Sequence, residues 1–316
     1  MKKRGLTGKD MNKLGNPEIP EMGGIAVWAG LNAGITSAIF VSTYLKLIEI
    51  NLTILLAGYS TILIIAFIGM IDDLVGWKNG LRQWQHALTP IMASLPLMAI
   101  KIANPPIRLP FFGFFPAEFI IPGLGIISFG ILYSLLFVPI GITGASNATN
   151  MLAGLNGLEA GLGAIMAATL SLVLLMLGRV EPLILSIALL FSLLAFLKFN
   201  KYPAKIFGGD TLTLMIGATI ATICILGDIE KVGVLLMILF FIELTFKAKH
   251  KFQTENFGIP QSNGTLKANP RGGSLTQWVM RQGQFTEPQV TSIILGMQLL
   301  VSIAVLILVR FELLLI

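Results

Sequence analysis

Long apolar runs alternate with short polar segments along almost the whole chain. Each run is uncharged or nearly so, and its length is close to what a helix needs to cross roughly 30 Å of hydrocarbon. Because lipid offers no partners for backbone polar groups, and these runs are too long and continuous for barrel strands, we expect helices. The nine predicted spans are 24–45, 52–71, 84–100, 121–143, 160–178, 182–197, 211–227, 232–246 and 289–309. The pattern predicts an all-α polytopic membrane protein of about nine transmembrane helices, with 1–316 forming a single integral membrane domain.

Composition agrees with this pattern. Of the 316 residues, 55% are hydrophobic and only 12% are charged, which a soluble domain could not hide inside its core. The one cysteine, Cys224, lies in an apolar run and has no internal disulfide partner.

The basic residues predict the orientation of the chain in the membrane. With the N-terminus in the cytosol, 16 of the 22 Lys and Arg residues fall in cytosolic segments, which selects N-in and C-out. A net charge of +6 by itself would suggest a nucleic-acid partner. Because the basic residues are sorted by loop, we instead expect the lipid bilayer as the partner and no nucleic acid. The segment 247–287 becomes a larger cytosolic loop between the last two spans.

With this topology, the polar segments of interest all face the cytosol. A channel or alternating-access transporter would more naturally carry ionisable residues at mid-span or on both faces. The pattern therefore favours an active site at the cytosolic membrane surface. The segments are 8–24, the loop after Asp72 and Asp73, 147–161, 207–211 and 247–287.

The segment at the centre of this pattern is NATNMLAGLNGLEAG, residues 147–161. Asn147, Asn150 and Asn156 recur at spacings of three and six, so on a helical turn they would share roughly one face. Gly154 and Gly157 allow close approach of backbone or ligand. Carbonyl-type oxygens suit a hard cation such as Mg²⁺. The alternative is a polar loop with helix-capping asparagines.

Two acidic segments offer further candidates. Asp72 and Asp73 follow the second span, where a carboxylate pair usually meets a cation or basic partner, although a solvated helix end explains them too. Arg82 is either an anion contact or an interfacial anchor. Asp210 opens the seventh span behind two glycines, either as a helix cap or as a carboxylate that completes a magnesium site with the asparagine stretch. A free helix N-terminus there also suits an anionic ligand.

The large cytosolic loop begins with alternating cations. Lys249, His250 and Lys251 would clamp a diphosphate, or the lysines would anchor the preceding span among headgroups.

These motifs, in this order, resemble the polyprenyl-phosphate N-acetylhexosamine-1-phosphate transferase family. The matching motifs are GKDMNK, IPE, IDD, NATNMLAGLNGLEAG, FGGDT and the basic K-H-K of 249–251. Bacterial members typically carry aspartates where this chain has Ala153 and Asn156, so the resemblance is to the dolichyl branch.

The chain departs from the family pattern in two ways. Family members generally have ten spans, with one preceding the GKD-like segment at which this chain begins. Dolichyl members also tend to have arginines around the loop histidine. Lys249 and Lys251 are point charges that do not grip phosphate bidentately.

The resemblance implies a substrate set and a cofactor. UDP-GlcNAc and dolichyl or another polyprenyl phosphate would be the substrates, with Mg²⁺ as cofactor and Mn²⁺ as an acceptable substitute. Asn150 and Asp210 would hold the metal, Asp72 and Asp73 would lie near the acceptor phosphate, and Arg82 would complete the catalytic set. The implied substrate-binding residues are Glu21, Asn147, Gly154, Asn156, Gly157, Lys249, His250 and Lys251.

Within that set, Asn156 and the backbone from Gly154 to Gly157 would read the uracil, and Glu21 would lie near the nucleotide. The implied reaction transfers GlcNAc-1-phosphate to the lipid and releases UMP, as the first membrane step of lipid-linked oligosaccharide synthesis for N-glycosylation. The acceptor phosphate is mostly dianionic at neutral pH, since its second pKa is about 6. We therefore expect Asp72 and Asp73 to orient, accept a proton or assist the metal rather than serve as an obligatory base.

Two alternatives stay open. One is a bacterial-type transferase that uses undecaprenyl phosphate and another UDP-sugar, and the other is a non-enzymatic transporter that binds nucleotide sugars. The sequence is compatible with a homodimer.

Overall fold

The fold is mostly helical. The computed structural model describes residues 5–75, 85, 88–100, 108–109, 113–114, 118–121 and 125–314. Its helices, in chain order, are α1 (Gly24–Phe40), α2 (Leu52–Val75), α3 (Pro90–Ala93), α4 (Leu95–Ala99), α5 (Phe129–Leu132), α6 (Val138–Met151), α7 (Leu158–Leu177), α8 (Val180–Asn200), α9 (Asp210–Leu226), α10 (Glu230–Leu236), α11 (Ile238–Lys249), α12 (Leu275–Met280) and α13 (Glu287–Arg310). Single π-helical turns, Val41–Leu45 and Tyr133–Phe137, extend α1 and join α5 to α6.

Within the described residues, six helices are long and apolar enough to cross a membrane. Five of them coincide with predicted spans, the sixth overlaps the predicted span 121–143, and together they support a polytopic helical membrane protein. The six are Gly24–Leu45, Leu52–Val75, Gly130–Met151, Leu158–Leu177, Val180–Asn200 and Glu287–Arg310.

The other three predicted spans differ from expectation. The span 211–227 is the shorter apolar helix α9, and the span 232–246 is broken at Met237 into α10 and α11. The described part of 84–100 holds the short helices α3 and α4, each with a proline in its first turn, where the missing N–H is tolerated. The predicted count of nine spanning helices is therefore not reached in this part of the chain. The orientation in the membrane stays a prediction.

The fourth predicted span, 121–143, is also shifted. Two paired strands, Glu118–Ile121 and Gly125–Ser128, precede a helix that continues to Met151. Asn147 and Asn150 therefore lie in the last turns of α6 and not in a loop.

Short strands form in the segments between the helices and before α1. Near the N-terminus, β1 (Thr7–Lys9) pairs antiparallel with β2 (Glu18–Pro20). Two further hairpins lie between α4 and α5, and a three-stranded antiparallel sheet folds the 247–287 loop back to the start of α13. The remaining strands are β3 (Arg108–Leu109), β4 (Gly113–Phe114), β5 (Glu118–Ile121), β6 (Gly125–Ser128), β7 (Ile259–Pro260), β8 (Thr265–Lys267) and β9 (Phe285–Thr286).

The centre of the bundle is α9, in which 15 of the 17 residues are buried. A helix that is apolar on all sides belongs inside a bundle, and α9 packs against α2, α6 and α8. Two glycines permit the close approach: a Cβ at Gly217 would lie 2.2 Å from the carbonyl oxygen of Ala145, and one at Gly69 would lie 2.7 Å from that of Asp210. This packing brings the end of α2 and the end of α6 to the start of α9.

Candidate active site

Asp73, in the last turn of α2, caps the N-terminus of α9. Its Oδ1 accepts from the backbone N–H of Asp210 at 2.6 Å, and its Oδ2 accepts from the N–H and the hydroxyl of Thr211 at 3.1 and 2.5 Å. A helix start leaves such N–H groups without intrahelical partners and favours negative charge. The residue at the cap position, Gly209 (φ +71°), offers no side chain, and a Cβ there would lie 2.5 Å from the Asp73 carboxylate.

Asn150 and Asp210 meet at this same helix start. The Asn150 Oδ1 accepts from the hydroxyl of Thr213 at 3.2 Å, and that hydroxyl lies 3.5 Å from the Asp210 carbonyl oxygen. The neighbouring Thr149 hydroxyl donates to the Thr213 carbonyl oxygen at 2.7 Å and fixes α6 against α9. The two predicted metal residues therefore lie at the same end of the bundle.

The donor chemistry of this corner suits magnesium. An amide oxygen from Asn150 and a carboxylate from Asp210 are both hard ligands, and Mg²⁺ is usually bound by one or two carboxylates, with substrate phosphates and water as the other ligands. Among the described residues, no three His, Cys, Asp or Glu side chains converge closely enough to hold a metal ion. The pair therefore fits a shared site with a diphosphate better than a closed structural site.

Glu21 extends the acidic corner toward the N-terminal segment. Burial raises its pKa above the ordinary value, and the nearby negative charges of Asp73 and then Asp210 raise it further. The backbone holds this segment in place, because Phe207 N–H donates to the Pro20 carbonyl oxygen at 2.8 Å. The carboxylates of Asp73 and Asp210 are thus close enough to Glu21 to disfavour its ionised form.

Asn156 lies in a separate buried network. Its Oδ1 accepts from Lys13 Nζ and from Ala204 N–H, each at 2.8 Å, and its Nδ2 donates to Asp10 Oδ2 at 3.3 Å. Lys13 also pairs with Asp10 and with Glu287, whose Oε1 accepts from the Asn156 backbone N–H at 2.8 Å. Because both ends of its amide are occupied, Asn156 holds several segments together in this conformation. Its role in reading uracil stays a prediction.

The two glycines of the stretch adopt left-handed backbone conformations. Gly154 has φ +105°, and a Cβ there would lie 2.7 Å from the ring of Phe257. Gly157 has φ +78° and precedes α7, where a Cβ would lie 3.3 Å from Lys201 Cα. Both positions therefore need glycine for close approach and for conformation.

The remaining predicted residues lie in α6, at the end of α2 and around the end of α11. Asn147 donates from Nδ2 to the Thr143 carbonyl oxygen of its own helix at 2.8 Å, and Asp72 is buried. His250 Nδ1 lies 2.9 Å from the Phe246 carbonyl oxygen, so this nitrogen is the donor. Lys249 and Lys251 are exposed beside it at the end of α11. Arg82 lies outside the described residues.

Sequence reasoning missed several residues of this region. Asp10, Lys13 and Glu287 are nearly buried and hold Asn156, although 8–13 was recognised only as a motif. The signal for Glu287 is its place in the first turn of α13, next to a capping box that starts at Thr286. Asn12 and Asn256 were also missed, because their hydrogen bonds to backbone groups far away in the sequence leave no local pattern.

Comparison with known proteins assigns the family. The model of glycosyl transferase family 4 matches residues 52–228, more than half of the chain. The chain belongs to this family. The matched region contains Asp73, Asn150 and Asp210, whereas Glu21 lies before it.

Individual relatives extend the similarity beyond that region. A protein of Saccharolobus solfataricus, provisionally named UDP-N-acetylglucosamine–dolichyl-phosphate N-acetylglucosaminephosphotransferase, is 38% identical over 311 residues, which cover 97% of this chain and 89% of the relative. A protein of the same name from Sulfolobus acidocaldarius is 38% identical over 306 residues, covering 96% and 87%. A phospho-N-acetylmuramoyl-pentapeptide-transferase of Clostridium perfringens is 32% identical over 183 residues, covering 56% and 54%.

Proposed function

We propose that this family 4 glycosyl transferase moves GlcNAc-1-phosphate from UDP-GlcNAc to a polyprenyl phosphate, specifically dolichyl phosphate, and releases UMP. The observation that carries the proposal is the meeting of Asp73, Asn150 and Asp210 at the start of α9, with Glu21 beside them. The names and the coverage of the two archaeal relatives support the same substrates.

Magnesium would neutralise the charge of the diphosphate and polarise the phosphorus under attack. Asn150 and Asp210 would hold it, since their oxygens are of the type that the ion accepts. The protein would keep both residues in position: Thr213 holds the Asn150 side chain, and Asp73 holds the turn that bears Asp210. Preorganised charge of this kind needs no rearrangement during the reaction.

The transfer itself is a displacement at the sugar-linked phosphorus. An oxygen of the lipid phosphate forms the new P–O bond, the bond to the bridging oxygen breaks, and UMP leaves with that oxygen. The acceptor needs no general base, because its second pKa is about 6. Both oxygens of Asp73 already accept hydrogen bonds from α9, which favours an orienting role for this carboxylate.

The site would face the cytosol, where UDP-GlcNAc is soluble and the lipid phosphate presents its headgroup. This placement rests on the excess of Lys and Arg in the segments at that end of the bundle. In that position, the reaction would be the first membrane step of lipid-linked oligosaccharide synthesis for N-glycosylation.

The test uses UDP-[¹⁴C]GlcNAc, dolichyl phosphate and the detergent-solubilised protein, with and without EDTA. We expect label in the lipid fraction, an equal amount of UMP and loss of both with EDTA. Nucleotide-sugar binding without UMP would instead indicate a binding or transport protein and would contradict the proposal.

A second candidate is favoured by the Clostridium perfringens relative. It is a transferase that uses undecaprenyl phosphate and UDP-MurNAc-pentapeptide. Parallel reactions with both acceptors and both donors separate the candidates. The shorter match to that relative leads us to expect the higher kcat/KM with UDP-GlcNAc.

A further inference from the structure

The turn that follows α6 exposes backbone carbonyls that its own helix does not satisfy. A helix C-terminus leaves its last carbonyl groups without intrahelical partners. Here the Met151 and Ala153 carbonyl oxygens both accept from Asn256 Nδ2, each at 2.7 Å. The Gly154 carbonyl oxygen accepts from Asn12 Nδ2 at 2.9 Å.

Asn12 also reaches the large loop. Its Oδ1 accepts from the Gly258 backbone N–H at 2.9 Å, so one amide bridges the N-terminal segment, the turn after α6 and the loop. Phe257 packs on Gly154 between these contacts. Asn12 and Asn256 are only 5% and 6% exposed, so water competes little for their hydrogen bonds.

The two ends of the Asn256 amide differ, because the Nδ2 group donates hydrogen bonds and the oxygen accepts none. Its Oδ1 is buried and has no hydrogen-bond partner in the part of the chain that the structure describes. An aliphatic side chain of similar size would avoid this orphan oxygen, so the two N–H donors are what the amide contributes at this position.

We propose that Asn12 and Asn256 are positioning residues for the transfer reaction, and we call the two side chains the amide clasp. The clasp fixes residues 151–154 to the loop, and therefore fixes Asn150, one residue before, relative to Lys249–Lys251 at the start of that loop. Neither residue acts on the reacting atoms; both act through the backbone. The inference rests on the proposed function and deepens it, since the asparagine turn and the basic group would contact the same diphosphate.

The experiment compares Asn256→Leu with the matched control Asn263→Leu. Asn263 lies in the same loop and is exposed, and its Oδ1 accepts from the N–H and the hydroxyl of Thr265, two residues away. Loss of the two buried donors should raise the KM for UDP-GlcNAc on the order of tenfold, as expected from the loss of one to two hydrogen bonds. The KM for dolichyl phosphate should change less, and Asn263→Leu should match the wild type in both.

A readout without substrate follows the loop directly. Lys267, Arg271 and Arg281 provide trypsin sites in the loop. In detergent, with no nucleotide present, Asn256→Leu should be cleaved in this loop several-fold faster than the wild type, because the loop has lost its attachment to the turn. Asn263→Leu should be cleaved at the wild-type rate.

A second variant tests the other side chain of the clasp. Asn12→Asp keeps an acceptor for the Gly258 N–H but sets an oxygen against the Gly154 carbonyl oxygen in a buried position, so its KM and cleavage rate should be raised at least as much as those of Asn256→Leu. All variants are checked by size-exclusion chromatography before assay.

The outcomes separate the two proposals. A wild type that releases no UMP defeats the proposed function. An active wild type with Asn256→Leu and Asn12→Asp variants that keep its KM and its protease resistance overturns the clasp. A lower melting temperature in both variants with unchanged KM also overturns it, because the residues would then be structural only.

Discussion

At the scale of single residues, the hydrogen bonds of each side chain distinguish the roles within the acidic corner, which is formed by Glu21, Asp73 and Asp210. Both carboxylate oxygens of Asp73 accept hydrogen bonds from the start of α9, and Asn150 accepts one from Thr213. Asp210 supplies a carboxylate in the first turn of α9, with the positive end of the helix dipole behind it. Asp210 is therefore the residue whose loss should affect the proposed Mg²⁺ site most.

Asp210→Ala should abolish transfer at ordinary magnesium concentrations, with a loss of about two orders of magnitude or more in kcat/KM, because it removes a charged ligand. The measurement is turnover over a Mg²⁺ titration. Wild-type activity in this variant would remove Asp210 from the site.

Glu21 tests the electrostatics of the same corner. Its raised pKa means that the fold disfavours the ionised form, so this cost to stability is absent below the ordinary value of 4.5 and grows as the pH rises through the folded-state pKa. In EDTA, Glu21→Gln should therefore melt at a higher temperature than the wild type at pH 7, and the difference should shrink as the pH falls toward 4.5. Added Mg²⁺ should reduce the advantage at pH 7. A variant that melts lower than the wild type in EDTA at pH 7 would contradict this.

Several residue contacts were predictable and others were not. The resemblance implied that Asn150 and Asp210 share one site and that Asp73 lies near the acceptor phosphate, and the structure places all three residues at the start of α9. The attachment of Asn156 to Lys13 was not predictable, because 143 positions of sequence separate them and no periodicity connects the two.

At the scale of elements, the site depends on how closely α9 approaches α2 and α6. Gly217 faces Ala145 and Thr149 of α6, and Gly69 faces the start of α9. These contacts leave no room for a methyl group. The helices can therefore pack this closely, and hold Asn150 where it is, only because glycine has no side chain.

Gly217→Ala should destabilise the protein by about 1–3 kcal/mol, the usual cost of overpacking, and should lower turnover by separating Asn150 from Thr213. The control is Gly144→Ala in α6, where an added Cβ meets nothing within 4 Å. That change should be neutral or stabilising by roughly 0.4–1 kcal/mol. Melting curves and turnover of the two variants check the argument, and equal stability of the two would contradict it.

Apolar runs predicted the bounds of five spanning helices closely, displaced a sixth at 121–143, and failed where helices break. At the break, the Leu236 carbonyl oxygen finds a partner far away in the sequence, because Gln298 Nε2 of α13 donates to it at 3.0 Å. Mean hydropathy does not register such a break. The short strands around 7–20 and 259–286 were also not predicted, because two or three residues are too few to show an alternating pattern.

At the scale of the whole molecule, polar groups from the N-terminal segment, the asparagine stretch and the large loop converge on one end of an apolar bundle. Such an arrangement suits a reaction between a soluble donor and a lipid acceptor at a membrane surface. The distribution of Lys and Arg predicts that this end of the bundle faces the cytosol.

Cysteine labelling tests this orientation in the membrane. The native Cys224 is buried, so the unmodified chain should stay unlabelled in intact membranes. We expect Ser262→Cys, exposed in the large loop, to react with a membrane-impermeant maleimide only after the cells are opened. Glu49→Cys, exposed in the segment between α1 and α2, should react in intact cells. The reverse pattern would contradict the predicted orientation.

We propose that a phosphosugar, and not a sugar alone, moves to the lipid. The most direct test of this proposal is a pair of reactions with UDP-GlcNAc carrying ³²P at either the α or the β phosphorus, each with dolichyl phosphate and Mg²⁺. We predict that the β label enters the lipid fraction and that the α label leaves as UMP. Recovery of both labels in a soluble nucleoside diphosphate would show transfer of the sugar alone and would contradict the account.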